Sequence, residues 1–326
     1  MEIISNKQKY FELIKDFEYV PFNQSEGWYS FHAYKDPERI IFIVDSIENP
    51  TIACFAHVKK FLWLKLLMIE GECFHVDKIS HQKIREFYSE ITTLNYDMIE
   101  INSFHVYDHE YVIGIRQAGY LRPVGMFSTP NSILVDLQKS ITYNRNWRRN
   151  LETAQKSNLK FEIIPNPDEK EIETFAKMYR NLTEDKKFSS MATEKQISVL
   201  LEDTNFSLGY VVGEQDCQIH SGIIFYKKRD YSVGVFAAKK EIAKKNGATF
   251  FMYDELFSYL RNHHFSYFDM AKITPSTHSK NNIFLFKNGI KGRYVLYAGE
   301  WAWYKNSLYR VLMYFVKKHL LKRIEV

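Results

Sequence analysis

Cysteine is scarce, three in 326 residues, and Cys54, Cys73 and Cys217 stand far apart with no C-x-x-C spacing. That excludes a disulfide framework and the common zinc-ribbon layouts. His263 and His264 have no further ligand at zinc spacing, and at a helix end they interact with the helix dipole. No secretory signal is visible: the opening MEIISNKQKYFELIKDF mixes charges every few positions. Long apolar runs are missing too. The longest, 61–69, is interrupted by Lys65 and falls short of the roughly 20 residues a spanning helix needs. A cytoplasmic protein is the simplest expectation. Without G-x-S-x-G, P-loop or dinucleotide-binding glycine patterns, nothing points to a nucleophile-elbow hydrolase, a P-loop NTPase or a Rossmann dehydrogenase.

What is present describes a globular chain long enough for two domains, 45% hydrophobic and 25% charged. Aromatics reach 16%, with 25 Phe and 22 Tyr, which suits an aromatic-rich core or broad clefts. The net charge of +5 permits an anionic substrate without demanding nucleic acid. Periodicity predicts a helix at 6–18, a turn-rich loop at 21–31, strands at 39–45, 51–58 and 61–69, a helix at 79–95, a strand at 97–101 and a helix at 107–118. The second half predicts helices at 140–157 and 168–182, strands at 160–164, 207–213, 217–227 and 230–238, and a helix at 247–263. A strand ending at Asp269 follows, then strands near 283–286 and 293–298, an aromatic run at 301–304 and a last helix at 307–322. The halves share an order of elements. No Gly/Ser- or Pro/Ser-rich linker parts them, so they are expected to pack tightly, divided as 1–138 and 139–326.

The stretch 266–293, SYFDMAKITPSTHSKNNIFLFKNGIKGR, is the most informative. A strand pattern ends on Asp269, a polar loop carries Thr274 to Lys280, and an apolar run leads to Lys287 and the Asn288-Gly289 turn. Polar loops held on a rigid scaffold are where substrate contacts lie, although a solvated loop between core segments has the same pattern. The arrangement D-x(n)-NNI-x-LFKNG-x-KGR resembles the C-terminal signature of the Fem-type peptidoglycan-bridge aminoacyltransferases, within the wider Gcn5-related N-acyltransferase (GNAT) superfamily. The resemblance covers roughly 141–300. It implies that the family's strand-ending aspartate is Asp269, and that its F-K pair, which brings a lysine to the acceptor's phosphates, is Phe286 and Lys287, before Gly289. Near the start, PFNQSEGWYSF, with Gln24, Ser25 and Trp28, is similar to the family's F-Q-S-x-x-W segment.

Further constellations accompany it. On a helix, Arg145, Arg149 and Lys156 share one face and Trp147, Leu151 and Ala154 the other. The cationic face suits phosphates, which guanidinium groups grip bidentately, or is simply solvated. The Fem family carries a helix of the R-x-x-I-x-K-A-x-K-x-G kind here, matched by Arg149, Ala154 and Lys156, with Asn158 in place of the glycine. Lys244 and Gly247, in KKNGAT, fit part of a CoA-pyrophosphate loop at a helix start. Thr249 stands where that loop wants glycine or alanine. Tyr226, Tyr231 and Tyr253, near Asp254 and Glu255, could orient an acyl carbonyl, or be packing residues. The helix SLYRVLMYFVKKHLLKR is apolar first and basic last, which suits either a core helix or an anionic membrane surface.

Together these imply an α/β fold of two tandem GNAT-like domains, the last helix packing back on the first. The function implied is acyl transfer from aminoacyl-tRNA to an amine or hydroxyl of a phosphorylated sugar or lipid-linked cell-envelope precursor, at the inner face of the membrane. Asp269 and Tyr253 are the catalytic candidates. Lys287, Arg145, Arg149, Phe286, Tyr231 and Lys280 are the substrate-binding candidates, and Lys244 and Gly247 the cofactor-loop candidates. The runner-up readings are an acetyl-CoA-dependent N-acetyltransferase acting on an amino sugar, and an inert module binding a glycan precursor or RNA.

Overall fold

The strand Ile52–Phe61 sets the pattern for the first part of the chain. Residues Ile52 to Ala56 are buried, and the strand surfaces at Lys59 and Lys60. β-branched and aromatic residues at these positions fit a sheet covered on both faces. The computed structural model describes all residues other than 35–36, 62, 77, 126–129, 186–191, 275–281 and 321–326. They fold as two units, one of Met1–Asn131 with Val295–Val326 and the other of Ser132–Tyr294.

The sheet of the first unit runs Glu2–Ile4, Ile40–Val44, Ile52–Phe61, Leu64–Glu70, Met98–Val106 and Arg293–Tyr304, with Cys73–Phe74 beside Ile52–Phe61. Pairing is antiparallel except between Leu64–Glu70 and Met98–Val106. Helices His81–Thr92 and His109–Gln117, capped by the side chains of Ser80 and Asp108, bury Ile84, Tyr88, Tyr111 and Ile115 against Ile99, Ile101 and Trp301. The segment expected as separate pieces, 293–298 and an aromatic run at 301–304, is one strand. Its alternation buries Ala298 and Trp301 in that core, which carries the last part of the chain into the first unit rather than leaving it with 139–292.

The loop expected at 21–31 is instead a short 3-10 turn, Phe22–Gln24, and a helix, Glu26–Ala33. The Ser25 hydroxyl caps the helix by accepting from the Trp28 amide. Gln24 is fully buried. Its amide nitrogen donates to the carbonyls of Phe55 (3.1 Å) and Glu70 (2.9 Å), and its oxygen accepts from the Phe55 amide (2.7 Å). It thus fills the fork where Ile52–Phe61 and Leu64–Glu70 stop pairing beyond Ala56 and Ile69.

The sheet of the second unit runs Asn131–Asp136, Tyr267–Asp269, Tyr231–Lys239, Ile219–Lys228, Phe206–Gly213 and Leu159–Ile164. Tyr231–Lys239 pairs with Tyr267–Asp269 in parallel. Neighbouring residues point to opposite faces. Val211, Ile223 and Phe225 pack against Met252 and Leu256 of helix Ala248–Asn262, while Tyr210 bonds the carbonyl of Glu171 on helix Glu169–Asp185. Helix Arg145–Gln155 buries Trp147 and Ala154 and exposes Arg145 and Arg149, as its sequence predicts. Asn158 adopts φ 45°, a left-handed conformation that asparagine, like the glycine it replaces, can take. Two helices had no sequence expectation, Glu194–Leu201, with a Thr193/Gln196 capping box, and the five-residue Ile242–Asn246.

Candidate active site

The parallel pair of the second unit is short. It covers Tyr231↔Tyr267, Ser232↔Phe268 and Val233↔Asp269 and then stops. Tyr231–Lys239 continues alongside Ile219–Lys228, with a register shift between Ile224 and Phe225 that bends it. Beyond Val233 the two parallel strands part, and the end of one of them is Asp269. Ligands in open sheets bind outside the carboxyl ends of diverging strands, where backbone groups lack partners.

Asp269 is buried, 2% exposed. One carboxylate oxygen accepts from the Ser132 hydroxyl and from the Ala271 amide (2.8 Å). The other accepts from the Tyr231 hydroxyl at 2.8 Å. Charge-assisted bonds to a carboxylate are the stronger kind, so this set fixes the strand end. Ala271 has φ 59°, a left-handed conformation that costs a residue with a Cβ. The turn directs the Ala271 carbonyl to the Ser132 hydroxyl at 2.9 Å and to Lys287 Nζ at 3.2 Å.

Lys287 reaches this point from a helix, not from a strand. The run expected as a strand at 283–286 is helix Asn282–Asn288. A short apolar run has no period that separates strand from helix. Here the choice is made by Phe286, whose ring packs on Trp147 (4.9 Å), Phe250 (5.1 Å) and Tyr253 (5.3 Å). Its carbonyl also accepts from Trp147 Nε1 at 2.7 Å. A Cβ on Gly289 would stand 2.2 Å from Trp147, so only glycine lets the helix end this close. Phe286 and Gly289 therefore hold the helix while the next side chain, Lys287, turns inward. Its ammonium donates to the carbonyls of Ala271 (3.2 Å) and Lys272 (3.3 Å). Burial pushes its pKa down to about 8, and the nearby Asp269 carboxylate opposes part of the fall. A lysine so placed is a compact cation that exchanges its proton close to neutrality.

No protein-family profile matches the sequence, and no curated protein matches it either. Solved structures do. The fold is similar to that of FemX, with a TM-score of 0.73 over 96% of this chain and 100% of that one, at 13% identity. The chain has a FemABX-like fold. L-PGS from Bacillus licheniformis is also similar in fold, with a TM-score of 0.65 at 13% identity over 95% of this chain and 96% of that one. A DUF2156 domain from Agrobacterium fabrum, assigned as the C-terminal domain of a lysylphosphatidylglycerol synthetase, gives 0.62 at 10% identity over 96% of each chain.

Within the FemABX-like fold the remaining candidates separate. Tyr231 bonds Asp269 and supports the site from its edge. Tyr253 is nearly buried, its hydroxyl 3.9 Å from where a Gly234 side chain would begin, and burial pushes its pKa up. Tyr226 is a core residue packed on Phe206. Asp254 accepts from the Tyr143 hydroxyl at 2.6 Å, and burial followed by the Asp254 charge raises the pKa of Glu255. Arg145 and Arg149 lie on the outer face of their helix, opposite the Trp147 face that meets Phe286, and Arg149 donates to Asn146 at 3.1 Å. Lys280 lies outside the described residues. Lys244 pairs with Glu241 at 2.6 Å. Gly247, at φ 72°, presses on the Asn150 carbonyl, which a Cβ would meet at 2.3 Å, and the following Ala248 amide donates to the Asn246 side chain. Close helix packing accounts for this glycine.

Sequence reading missed Ser132 and Ala271. Ser132 is 137 positions from Asp269, and no local pattern links them. It also missed a cleft of about 590 Å³ lined by Lys170, Lys177, Lys239, Lys240 and Lys244, with Glu173 and Glu241 among them. One signal was available: Lys170, Thr174, Lys177 and Asn181 recur at helical spacing on Glu169–Asp185.

Proposed function

We propose that this chain is a Fem-type acyltransferase that passes an aminoacyl group from aminoacyl-tRNA to an amine or hydroxyl of a phosphorylated cell-envelope precursor. The observation that carries the reading is the Lys287 ammonium, half-buried at the open end of the Asp269 strand in a chain with the FemX fold. The acceptor attacks the ester carbonyl. A carbon–nitrogen or carbon–oxygen bond forms, the ester carbon–oxygen bond breaks, and the acceptor's proton ends on the departing ribose oxygen. No covalent enzyme intermediate is required. The protein positions the reactants and stabilises charge that develops on the carbonyl oxygen or rests on acceptor phosphate. Lys287 supplies that charge. Asp269, already accepting from Ser132, Ala271 and Tyr231, organises the turn that aims Lys287 rather than serving as the base.

The lysine-lined cleft lies at the far end of the strand that begins with Tyr231, and we assign it to phosphates of the tRNA acceptor end. Arg145 and Arg149 add a second cationic face. The acetyl-CoA reading is less well supported, because the Gly247 loop is committed to packing and Asn246 occupies the Ala248 amide. The test is a mass-spectrometric screen of charged tRNAs and acyl-CoAs against sugar-nucleotide acceptors. Transfer from a charged tRNA, lost in Lys287→Met, is the expected result. Thiol release from acetyl-CoA with no transfer from tRNA overturns the donor, and ligand binding without turnover overturns the enzyme.

A further inference from the structure

Helix Ser307–Phe315, SLYRVLMYF, is apolar nearly all round, with Ser307 and Arg310 its only strongly polar residues. One face packs inward. Tyr309, Leu312 and Met313, with the following Val316, meet Leu64, Leu66 and Met98 and the partly buried Phe61. The other face has no cover among the described residues: Leu308 is 64% exposed, Val311 52% and Phe315 54%. These recur at the spacing of a single helical stripe. A helix apolar on both faces belongs in a core or at a membrane, and this one has a core on one side only.

A second exposed apolar group lies at the adjoining hairpin. Trp63, 70% exposed, occupies the turn between Phe61 and Leu64, which together with Leu66 bring the hairpin against the helix. Tryptophan is the side chain most at home at the level of lipid headgroups. The surrounding charge has one sign. Segments 59–65 and 305–320 contain no Asp or Glu. Lys59, Lys60 and Lys65 flank the hairpin tip, and Lys305, Arg310 and Lys318 flank the helix. Among the described residues, the carboxylates of Asp97 and Glu100 bond to these segments, and both are engaged. Asp97 accepts from the Lys65 amide at 2.9 Å, and Glu100 pairs with the fully buried Lys317 at 2.8 Å. The Glu100–Lys317 pair anchors the turn Val316–Leu320, which follows the helix, to strand Met98–Val106.

We propose that this face of the first unit docks on an anionic lipid surface, with Trp63, Leu308, Val311 and Phe315 entering the headgroup layer and the lysines meeting lipid phosphates. No described helix is long and apolar enough to cross a membrane, so the contact is peripheral. Apolar insertion combined with basic attraction is the pairing that interfacial helices use. The residues of this surface belong to the first unit and Asp269 and Lys287 to the second, so the inference stands independently of the transfer reaction.

The test is co-sedimentation of the full chain with phosphatidylcholine vesicles, with and without phosphatidylglycerol. Phosphatidylglycerol is expected to raise partitioning by about tenfold or more, an increase that falls as salt rises. Tryptophan emission should shift to the blue on binding, and Trp63→Phe should remove that shift. Leu308→Glu with Phe315→Glu should cut partitioning by at least about tenfold at an unchanged melting temperature, since both side chains are exposed. Absence of binding to anionic vesicles overturns the proposal, as does equal binding to both vesicle types. So does a concentration-dependent dimer, seen by sedimentation, that the double variant abolishes without any vesicle binding in the wild type.

Discussion

Among the described residues each unit contains one parallel strand pair, and the two pairs end differently. In the first unit, Leu64–Glu70 and Met98–Val106 stay in register from Leu66↔Met98 to Glu70↔Asn102, and the Gly71 amide extends the ladder to the Asn102 carbonyl. Polar side chains bond across this end, beside a small cleft of about 90 Å³ lined by Glu70, Asn102 and Trp301. Gln24 plugs the neighbouring fork, and buried Glu72 accepts from the Ser103 hydroxyl. In the second unit the pair breaks after three positions, and the gap opens on Asp269, a left-handed Ala271 and the Lys287 ammonium. The topologies are alike, but polar side chains consolidate one end and leave a reactive cation at the other. Chemistry is set by what fills the strand ends, not by the fold that provides them.

The largest effect should come from the plug. Gln24→Ala removes three bonds to main-chain groups of the strand fork. At about 1–1.5 kcal/mol each, unfolding free energy should drop by roughly 3–4 kcal/mol in urea titration, with kcat/KM unchanged. Lost turnover at intact stability would show that the first unit's fork takes part in the reaction, and the contrast between the units would fail.

Lys287→Met should have the next largest effect. It keeps the stem and removes the charge, so kcat/KM toward a phosphorylated acceptor should fall roughly 10- to 150-fold, the loss of one charge-assisted bond of about 1.5–3 kcal/mol. The melting temperature should not fall at neutral pH, because burial already disfavours the charged form. The sign can be checked by titration. The folded value of about 8 lies below the ordinary 10.5, so the unfolded chain binds more protons between them, and wild-type stability should climb across that window. The variant should show no such climb. Wild-type turnover by Lys287→Met would reduce the lysine to a packing residue.

The rate should follow the same proton. If the charged lysine is the working form, kcat/KM should fall about tenfold per pH unit above pH 8. Lys287→Arg, always charged, should lose that limb even if its rate is lower. The smallest effect should come from the outer face. Arg145→Ala with Arg149→Ala should weaken acceptor or tRNA binding by a few-fold at low salt, converging with the wild type at high salt, without loss of stability. A fall of several kcal/mol would mean that these arginines are buried against carboxylates in solution.

Much of the fold was legible before any coordinates. The strands at 39–45, 51–58, 160–164 and 207–213 and the helices at 79–95 and 247–263 lie within a few residues of their observed bounds. Their periods are long and their caps, such as Ser80, are explicit. The failures have physical causes. Ile283 to Phe286 is too short to declare a period, and it became helical because Trp147, 139 positions away in its contact to Phe286, offers an indole donor and a ring to pack on. The 21–31 segment looked like a loop because its polar residues suit turns, yet Gln24 is polar in order to satisfy a buried strand fork.

By itself, then, the sequence determined which residues could be strand, helix or core, because side-chain period and capping chemistry act over a few positions. It also singled out Asp269, Phe286 and Lys287 as a group. Only the tertiary structure decided what that group is. Ser132, Tyr231 and Ala271 converge on Asp269 from distant strands and a strained turn. Lys287 is drawn to a pKa of about 8 by burial, which no local pattern encodes. The last strand joins the first unit because Trp301 and Ala298 find their apolar partners there. Burial, desolvation and long-range hydrogen bonding depend on neighbours far apart in the chain, and those neighbours exist only once it has folded.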